Sequence, residues 1–314
     1  MVSLEAFRRQ LSAVIRGTET SLELCAAAIV AGGHVLLEDV PGTGKTSLAR
    51  AVAHLVGADD RELVFRRIQF TPDLLPYDLT GVDIYDPARR RFSFVPGPVF
   101  AHVVLADEIN RATPKVQSAL LEVMNERQVT VGGTTYPLDE FFLVIATENP
   151  VSMEGTYPLP LAQLDRFMMR LSLGYPDPDT ELSILRDDPG RRILPTLTPV
   201  ISRDELLSAR STAAEVYCRE ELCRAVVATA AATRRDRRLH YGISPRGTLH
   251  VLDAMRALAY LRGRDYVTDR DFQDLSVAVL AHRVRPAGHE HSAAEIVREH
   301  VAAAVADLRE ADGV

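Results

Sequence analysis

Up to about residue 175 the chain alternates short, nearly continuous apolar runs with stretches of helical spacing. The runs predict strands at His34–Leu37, Leu63–Gln69, His102–Ala106, Phe141–Ala146 and Met168–Leu171, each too short for a helix and bounded by turn-forming residues. Strands alternating with helices point to a mostly parallel sheet covered by helices. Two further β-rich segments read as hairpins: Val82–Tyr85 with Arg91–Val95 around Asp86-Pro87-Ala88, and Gln128–Val131 with Thr134–Leu138 about Gly132-Gly133. A proline-rich stretch, Gln69–Pro76, leads into the first. The segment Gly174-Tyr175-Pro176-Asp177-Pro178-Asp179 then interrupts regular structure, and the chain becomes rich in alanine, arginine and leucine at helical spacing. The pattern predicts helices over Arg203–Tyr217, Glu220–Arg234, Pro245–Leu261, Asp269–His282 and Ala293–Leu308, with no strand among them. The expected division is an α/β domain over residues 1–176 and a smaller all-helical domain over 177–314.

Composition narrows the function classes. The 314 residues are 46% apolar and 25% charged, ordinary for a folded water-soluble chain. A net charge of −7 argues against a general polyanion-binding surface, so nucleic acid is not the expected partner. The beginning Met1–Glu5 carries no basic-then-apolar leader, and no apolar run approaches the roughly 20 residues needed to cross a bilayer. A cytoplasmic protein with no membrane insertion is expected. Cys25, Cys218 and Cys223 lack metal-like spacing and read as small buried or half-buried thiols. His289-Glu290-His291, after Pro286 and Gly288, reads as a solvated loop rather than a metal site.

Among 36 basic residues only two are lysines, and one of them is Lys45, in Glu38-Asp39-Val40-Pro41-Gly42-Thr43-Gly44-Lys45-Thr46-Ser47. Glycines that let backbone N–H groups curl around an anion, a flexible ammonium and a hydroxyl suited to Mg²⁺ describe a phosphate-gripping P-loop. Arginine's planar fork does not fit such a cradle. Val40 to Ser47 are therefore the candidate nucleotide-binding residues. About sixty residues on, Val103-Val104-Leu105-Ala106-Asp107-Glu108 is an apolar strand ending in paired acids. Asp107, with the Thr46 hydroxyl, can hold Mg²⁺ while Glu108 polarises an attacking water. Taken alone, the two acids also suit a solvated strand end. In this order and spacing, loop and acids predict ATP/ADP and Mg²⁺ as ligands and nucleotide hydrolysis as the chemistry. Asp39 stands where the general loop pattern has glycine, and an acid so near the phosphates is expected to weaken ATP affinity.

Four further segments, Asp107-Glu108-Ile109-Asn110-Arg111, Gln117–Glu122, Ala146-Thr147-Glu148-Asn149-Pro150 and Leu161–Phe167, closely resemble the MoxR family of AAA+ ATPases, over nearly the whole chain. The resemblance implies an α/β P-loop NTPase core with a helical lid, assembled as a ring, usually hexameric, with nucleotide sites between subunits. Position by position, it implies that Asn149 aligns the attacking water, with a turn before Pro150 as the plainer alternative. Arg166 resembles the finger that enters a neighbour's site, against a salt bridge with Asp165. Arg246, in the capped helix start Ile243-Ser244-Pro245-Arg246, resembles the second sensor of the γ-phosphate. Ile15 and Arg16, in Val14-Ile15-Arg16-Gly17, match the stretch lying against the adenine, or simply end an amphipathic helix. Glu148 and Thr18 depart from the glutamines common at those places. Both hairpins correspond to segments that face a pore or client in related machines, with surface decoration as the alternative.

The resemblance implies a chaperone-like ATPase remodelling or maturing protein clients, with a von Willebrand factor A domain protein as partner. A motor on nucleic acid, drawing on Arg89-Arg90-Arg91 and Arg234-Arg235-Asp236-Arg237-Arg238, and an ATP-binding assembly switch with little turnover are the alternatives.

Overall fold

The computed structural model describes residues 2–58, 61–88, 90–149, 155–288 and 290–312. Arg89, Pro150 and His289, each part of a segment singled out above, lie outside the described residues.

Five strands form the central sheet: β1 (Val35–Glu38), β2 (Phe65–Gln69), β3 (Val103–Asp107), β4 (Leu143–Glu148) and β5 (Met169–Leu171). Their order is β5-β1-β4-β3-β2, and every pairing is parallel. A parallel sheet is covered on both faces, so its central strands must be apolar on both. Val35, Leu37, Val103, Leu105 and Ile145 belong to one apolar cluster, while Leu36, Val104, Ala106, Val144 and Ala146 belong to the other.

Helices α1 (Val2–Val14), α2 (Glu19–Val30) and α3 (Lys45–Leu55) pack in the first cluster. Leu4, Phe7, Leu11 and Val14 form the buried stripe of α1, at helical spacing. On the other face, α4 (Pro114–Glu126) packs Val116, Leu120, Leu121, Val123 and Met124. The helices that follow are α5 (Pro178–Asp187), α6 (Arg203–Ala214), α7 (Glu220–Arg235), α8 (Pro245–Leu261), α9 (Asp269–Leu280) and α10 (Ala293–Asp312). Helices α6 and α9 start with complete capping boxes, Ser202 with Glu205 and Thr268 with Asp271. The lid shares its core with the sheet: the cluster that holds Val35 and Ile145 also holds Val251, Met255, Phe272 and Val301.

Three expectations need correction. The helix from Arg203 ends at Ala214 rather than Tyr217, because Tyr217 leaves it to bridge Tyr266 in parallel. The helical part is not free of strands: Leu239–Tyr241 pairs with Arg285–Pro286, and Ile201–Ser202 pairs with Val56–Gly57. Two- and three-residue strands are too short to show a period, and Pro286 argues against a strand locally. The break after Gly174 ends sooner than expected, since Asp177 caps α5 by accepting from the Asp179 and Thr180 N–H groups.

Both hairpins form, over Gly81–Asp86 with Arg91–Pro96 and over Gln128–Val131 with Thr134–Pro137. Phe94 of the first stacks on Tyr136 of the second, with centroids 4.0 Å apart. Val82, Ile84, Phe92 and Val95 of the first are exposed. The three cysteines are free thiols. Among the described residues, no helix is long and apolar enough to cross a membrane.

Candidate active site

The chain leaves β1 at Glu38 and turns back into α3 through two left-handed glycines, Gly42 (φ 91°) and Gly44 (φ 95°). A Cβ at Gly42 would meet nothing within 4 Å, so backbone conformation rather than space calls for glycine there. Gly44 is the N-cap of α3, so that helix presents its unpaired N–H groups and positive dipole end at the loop. The Lys45 ammonium donates to the Asp39 and Val40 carbonyls at 2.7 and 2.9 Å, holding the loop curled. Burial lowers its pKa, against the opposing pull of Asp39, Asp107 and Glu108.

A cavity of about 540 Å³ opens between this loop and the carboxyl ends of β3 and β4. Pro41, Gly42, Gly44, Lys45, Thr46, Ser47, Asp107, Glu108 and Asn149 line it. A second cavity of about 340 Å³ adjoins it through Pro41, Gly42, Gly44 and Ser47, and is lined by Ile15, Arg16, Thr43, Tyr175, Pro176 and Ile184. One polar and one more apolar chamber sharing a glycine loop match the two ends of a nucleotide. Arg16 is itself anchored in the cavity wall by an ion pair to Asp187 at 2.6 Å and a bond to Ser183 at 3.0 Å. Val40 lines neither cavity; its contribution is the carbonyl that receives Lys45.

Three groups in the cleft escaped the sequence reading. Thr147 donates to Asp107 Oδ1 at 2.7 Å and accepts from the Glu108 N–H at 2.8 Å, fixing both acids from the neighbouring strand. Arg67 donates to Asp107 Oδ2 at 2.6 Å through Nη2 and at 3.1 Å through Nε. Gln69, in register with Asp107, donates to Glu108 Oε2 at 2.9 Å. Glu108 is left-handed at φ 56°, a conformation that costs about 1 kcal/mol outside glycine and is retained where surroundings enforce it. Its carboxylate also pairs with Arg111 at 3.2 Å. The Thr46 hydroxyl and Asp107 carboxylate, both hard oxygen donors, line the same cavity and suit Mg²⁺.

Asp39 is buried, and its carboxylate is engaged away from the phosphates: it accepts from Ser172 Oγ at 2.7 Å and from the Leu173 and Gly174 N–H groups at 2.6 and 3.1 Å. It fastens the exit of β5 to the loop. Glu148 does line the cleft. Burial, then the nearby Glu38 charge, pushes its pKa up to about 7, with Arg170 opposing.

Arg166 and Arg246 are brought together, but not here. With His34, Arg127, His250 and Asp253 they line a separate cavity of about 240 Å³ by the start of β1 and β5, at the opposite end of the sheet. Buried Arg166 Nε has no hydrogen-bond partner among the described residues. The alternative pairing of Arg166 with Asp165 does not form: the Asp165 carboxylate accepts instead from Arg283 Nε at 2.9 Å and from Ser244 Oγ at 3.0 Å. Ser244 caps α8, accepting from the Gly247 N–H at 3.1 Å. Two of the four arginines at 234–238 are engaged within the chain, Arg238 by Asp236 and Glu299 and Arg234 by the Ile243 carbonyl.

A family model described as ATPase family associated with various cellular activities (AAA) matches residues 34–169, and an AAA lid domain model matches 231–300. Chaperone MoxR1 of Mycobacterium tuberculosis is 42% identical, over 90% of this chain and 75% of its own length. YeaC of Bacillus subtilis, an uncharacterised protein, is 46% identical over 87% of this chain and 84% of its own. A crystal structure of a candidate ATPase from Cytophaga hutchinsonii superposes with a TM-score of 0.86 at 36% identity, covering 96% of this chain and 94% of that one.

Proposed function

The chain belongs to the MoxR family of AAA+ ATPases, and from that membership we propose that it hydrolyses Mg²⁺-bound ATP in a homo-oligomeric, hexameric ring whose sites are completed by arginines of the adjacent subunit. The observation that carries this reading is the placement of the phosphate cleft and the Arg166–Arg246 pocket at opposite ends of one sheet. A single chain cannot bring the two together without breaking its core, whereas a head-to-tail ring repeats that juxtaposition at every interface.

The loop N–H groups from Gly42 to Ser47 and the Lys45 ammonium hold the β- and γ-phosphates, and the base lies by Ile15 and Arg16. Thr46 and Asp107 hold Mg²⁺, which when bound polarises the phosphoryl oxygens. Glu108 orients and polarises the attacking water, and the Asn149 amide aligns it against the γ-phosphate. Arg166 and Arg246 of the neighbour offset the charge that develops on the transferred group. Residues 1–176 form the nucleotide-binding unit and residues 177–314 the lid. The stacked hairpins present Val82, Ile84 and Phe92 to a protein client, delivered with a von Willebrand factor A domain partner in the cytoplasm.

The test is complementation between two inactive variants, Arg166→Ala, which keeps the cleft, and Lys45→Ala, which keeps the arginines. Mixed assemblies should regain turnover absent from either alone; a mixture as inactive as its components would sink the shared site. Capture on ATP-loaded Glu108→Gln protein, with Lys45→Ala as control, tests the client and its partner.

A further inference from the structure

Arg283 is the largest fully buried side chain described. A guanidinium in a core is sustained only when its N–H groups find acceptors, so the acceptors show what it holds together. One set lies on the loop that carries Arg166. Nε donates to Asp165 Oδ1 at 2.9 Å, Nη2 to the Phe167 carbonyl at 2.5 Å and Nη1 to the Met168 carbonyl at 3.2 Å. The other set lies on the lid: the Val279 carbonyl of α9 and Nδ1 of His250, one turn beyond Arg246 on α8. Asp165 closes the circuit by accepting from Ser244, the cap of α8. Gly247 makes room for two neighbours, since a Cβ there would stand 2.9 Å from Ile243 Cγ2 and 3.0 Å from Arg283 Cδ. Burial lowers the Arg283 pKa to about 10 against the pull of Asp165, which leaves it protonated at neutral pH. His250 is lowered to about 3 by burial and by Arg283 and Arg246, so its ring is neutral and can accept.

We infer that Arg283 is a positioning residue: it clamps the backbone on both sides of Arg166 to the helix that carries Arg246, so that the two arginines meet a neighbour's phosphates as one unit. Arg283 does not itself line their pocket and acts through them. Lysine cannot replace it, because one ammonium does not span acceptors arranged around a planar fork. The inference rests on the reading that Arg166 and Arg246 serve turnover across the subunit interface.

The experiment uses the full-length assembled protein and reads kcat, KM for ATP, binding of a fluorescent ADP analogue and ring size. Arg283→Lys should lower kcat by about 10- to 100-fold, the cost of misplacing charge by about an ångström. KM and analogue binding should stay within about threefold, because the variant's own cleft is untouched. Lys45→Ala subunits, whose clamp is intact, should restore turnover on mixing. Gly247→Ala gives the same kcat-specific loss by a second route that favours helix α8. Made in an Ile243→Leu background, which removes the closer contact to Ile243 Cγ2 and leaves the one to Arg283, it decides the matter if Arg283→Lys does not fold. In a background that lacks both arginines, Arg166→Ala with Arg246→Ala, Arg283→Lys should cost little more, since both groups it positions are gone. If Arg166→Ala leaves kcat unchanged, the underlying reading of the arginine pair falls. If Arg166→Ala lowers kcat while Gly247→Ala and any folded Arg283→Lys leave it unchanged, or if the losses multiply independently, the clamp alone is overturned.

Discussion

The two ends of the central sheet are built on opposite plans. At its carboxyl end, left-handed glycines, a helix N-terminus and Lys45 face Asp107, Glu108 and Glu148 in a cleft shaped for phosphates. At its amino end, Arg127, Arg166 and Arg246 line a pocket with a single carboxylate, Asp253, and no lysine among its lining. The first can bind and position but has little positive charge to spare for a transition state, as Arg67 and Arg111 are already paired with the acids. The second has three guanidinium groups to one carboxylate, and of the three Arg127 is engaged by the Gly32 and Glu140 carbonyls. In the ring proposed above, such division makes catalysis conditional on assembly, because each half supplies what the other lacks.

The sharpest way to break this contrast is to disable one end and ask whether the other notices. Glu108→Gln should lower ATP turnover by about a thousandfold, since it removes the general base, while analogue binding stays intact. Loss of binding together with turnover would mean that Glu108 holds the cleft in shape rather than acting on water. Arg246→Ala, at the other end, should lower turnover by about a hundredfold, at the low end for a charge that stabilises a phosphoryl-transfer transition state. Nucleotide binding by its own chain should be preserved. A fall in that binding under conditions where the ring is dissociated would show that Arg246 reaches its own cleft, and the contrast would collapse.

How far the sequence discloses each end differs for a physical reason. Apolar runs mark where a strand is buried, and all five central strands were legible from them. The ladders are displaced toward the carboxyl side, however: His34–Leu37 becomes Val35–Glu38, and Phe141–Ala146 becomes Leu143–Glu148. The added residues, Glu38, Thr147 and Glu148, are polar, so an apolar pattern cannot include them, and the last two edge the cleft. Lys45, Asp107 and Glu108 were readable because local chemistry requires them at fixed spacing. Arg67, Gln69 and Thr147 were not, because their contacts depend on strand register, such as Gln69 beside Asp107, between segments far apart in sequence. Arg283 was harder still. Beside the predicted end of a helix it looks like any basic residue near a C-terminus, and only the packing of α8 and α9 on the Arg166 loop makes it a core group.

Arg67 offers a finer test of the carboxyl end. Its guanidinium occupies one oxygen of Asp107 and so competes there with a bound cation. Arg67→Gln should therefore lower the Mg²⁺ concentration needed for half-maximal turnover by about tenfold, the value of one charge-assisted bond. The same variant should show a larger Mg²⁺-induced rise in melting temperature with ADP present. An unchanged or higher Mg²⁺ requirement would mean that Arg67 orients Asp107 for the metal instead of opposing it.

The smallest effect concerns Glu148, whose pKa near 7 places its charge change in the working range of the enzyme. Its folded-state pKa lies above the ordinary 4.5, so the native state holds this proton more tightly than the unfolded chain does. The associated stabilisation is complete below about pH 4.5 and is lost as pH rises to about 7, beyond which the charged carboxylate is carried in full. Glu148→Gln should therefore gain melting temperature relative to the parent as pH rises through that window, with the difference levelling off above it. The same ionisation places a negative charge on the wall of the phosphate cavity. Affinity for ATP should fall by about threefold between pH 6 and 8 in the parent, a modest repulsion across a partly solvated cleft, and stay level in the variant. Parallel profiles for the two proteins would assign the pH dependence to the nucleotide or to another group. Convergence at pH 6 with divergence at pH 8 would show that Glu148 behaves like a neutral amide only while it keeps its proton, which ties the cleft, and not the arginine end, to the pH of its surroundings.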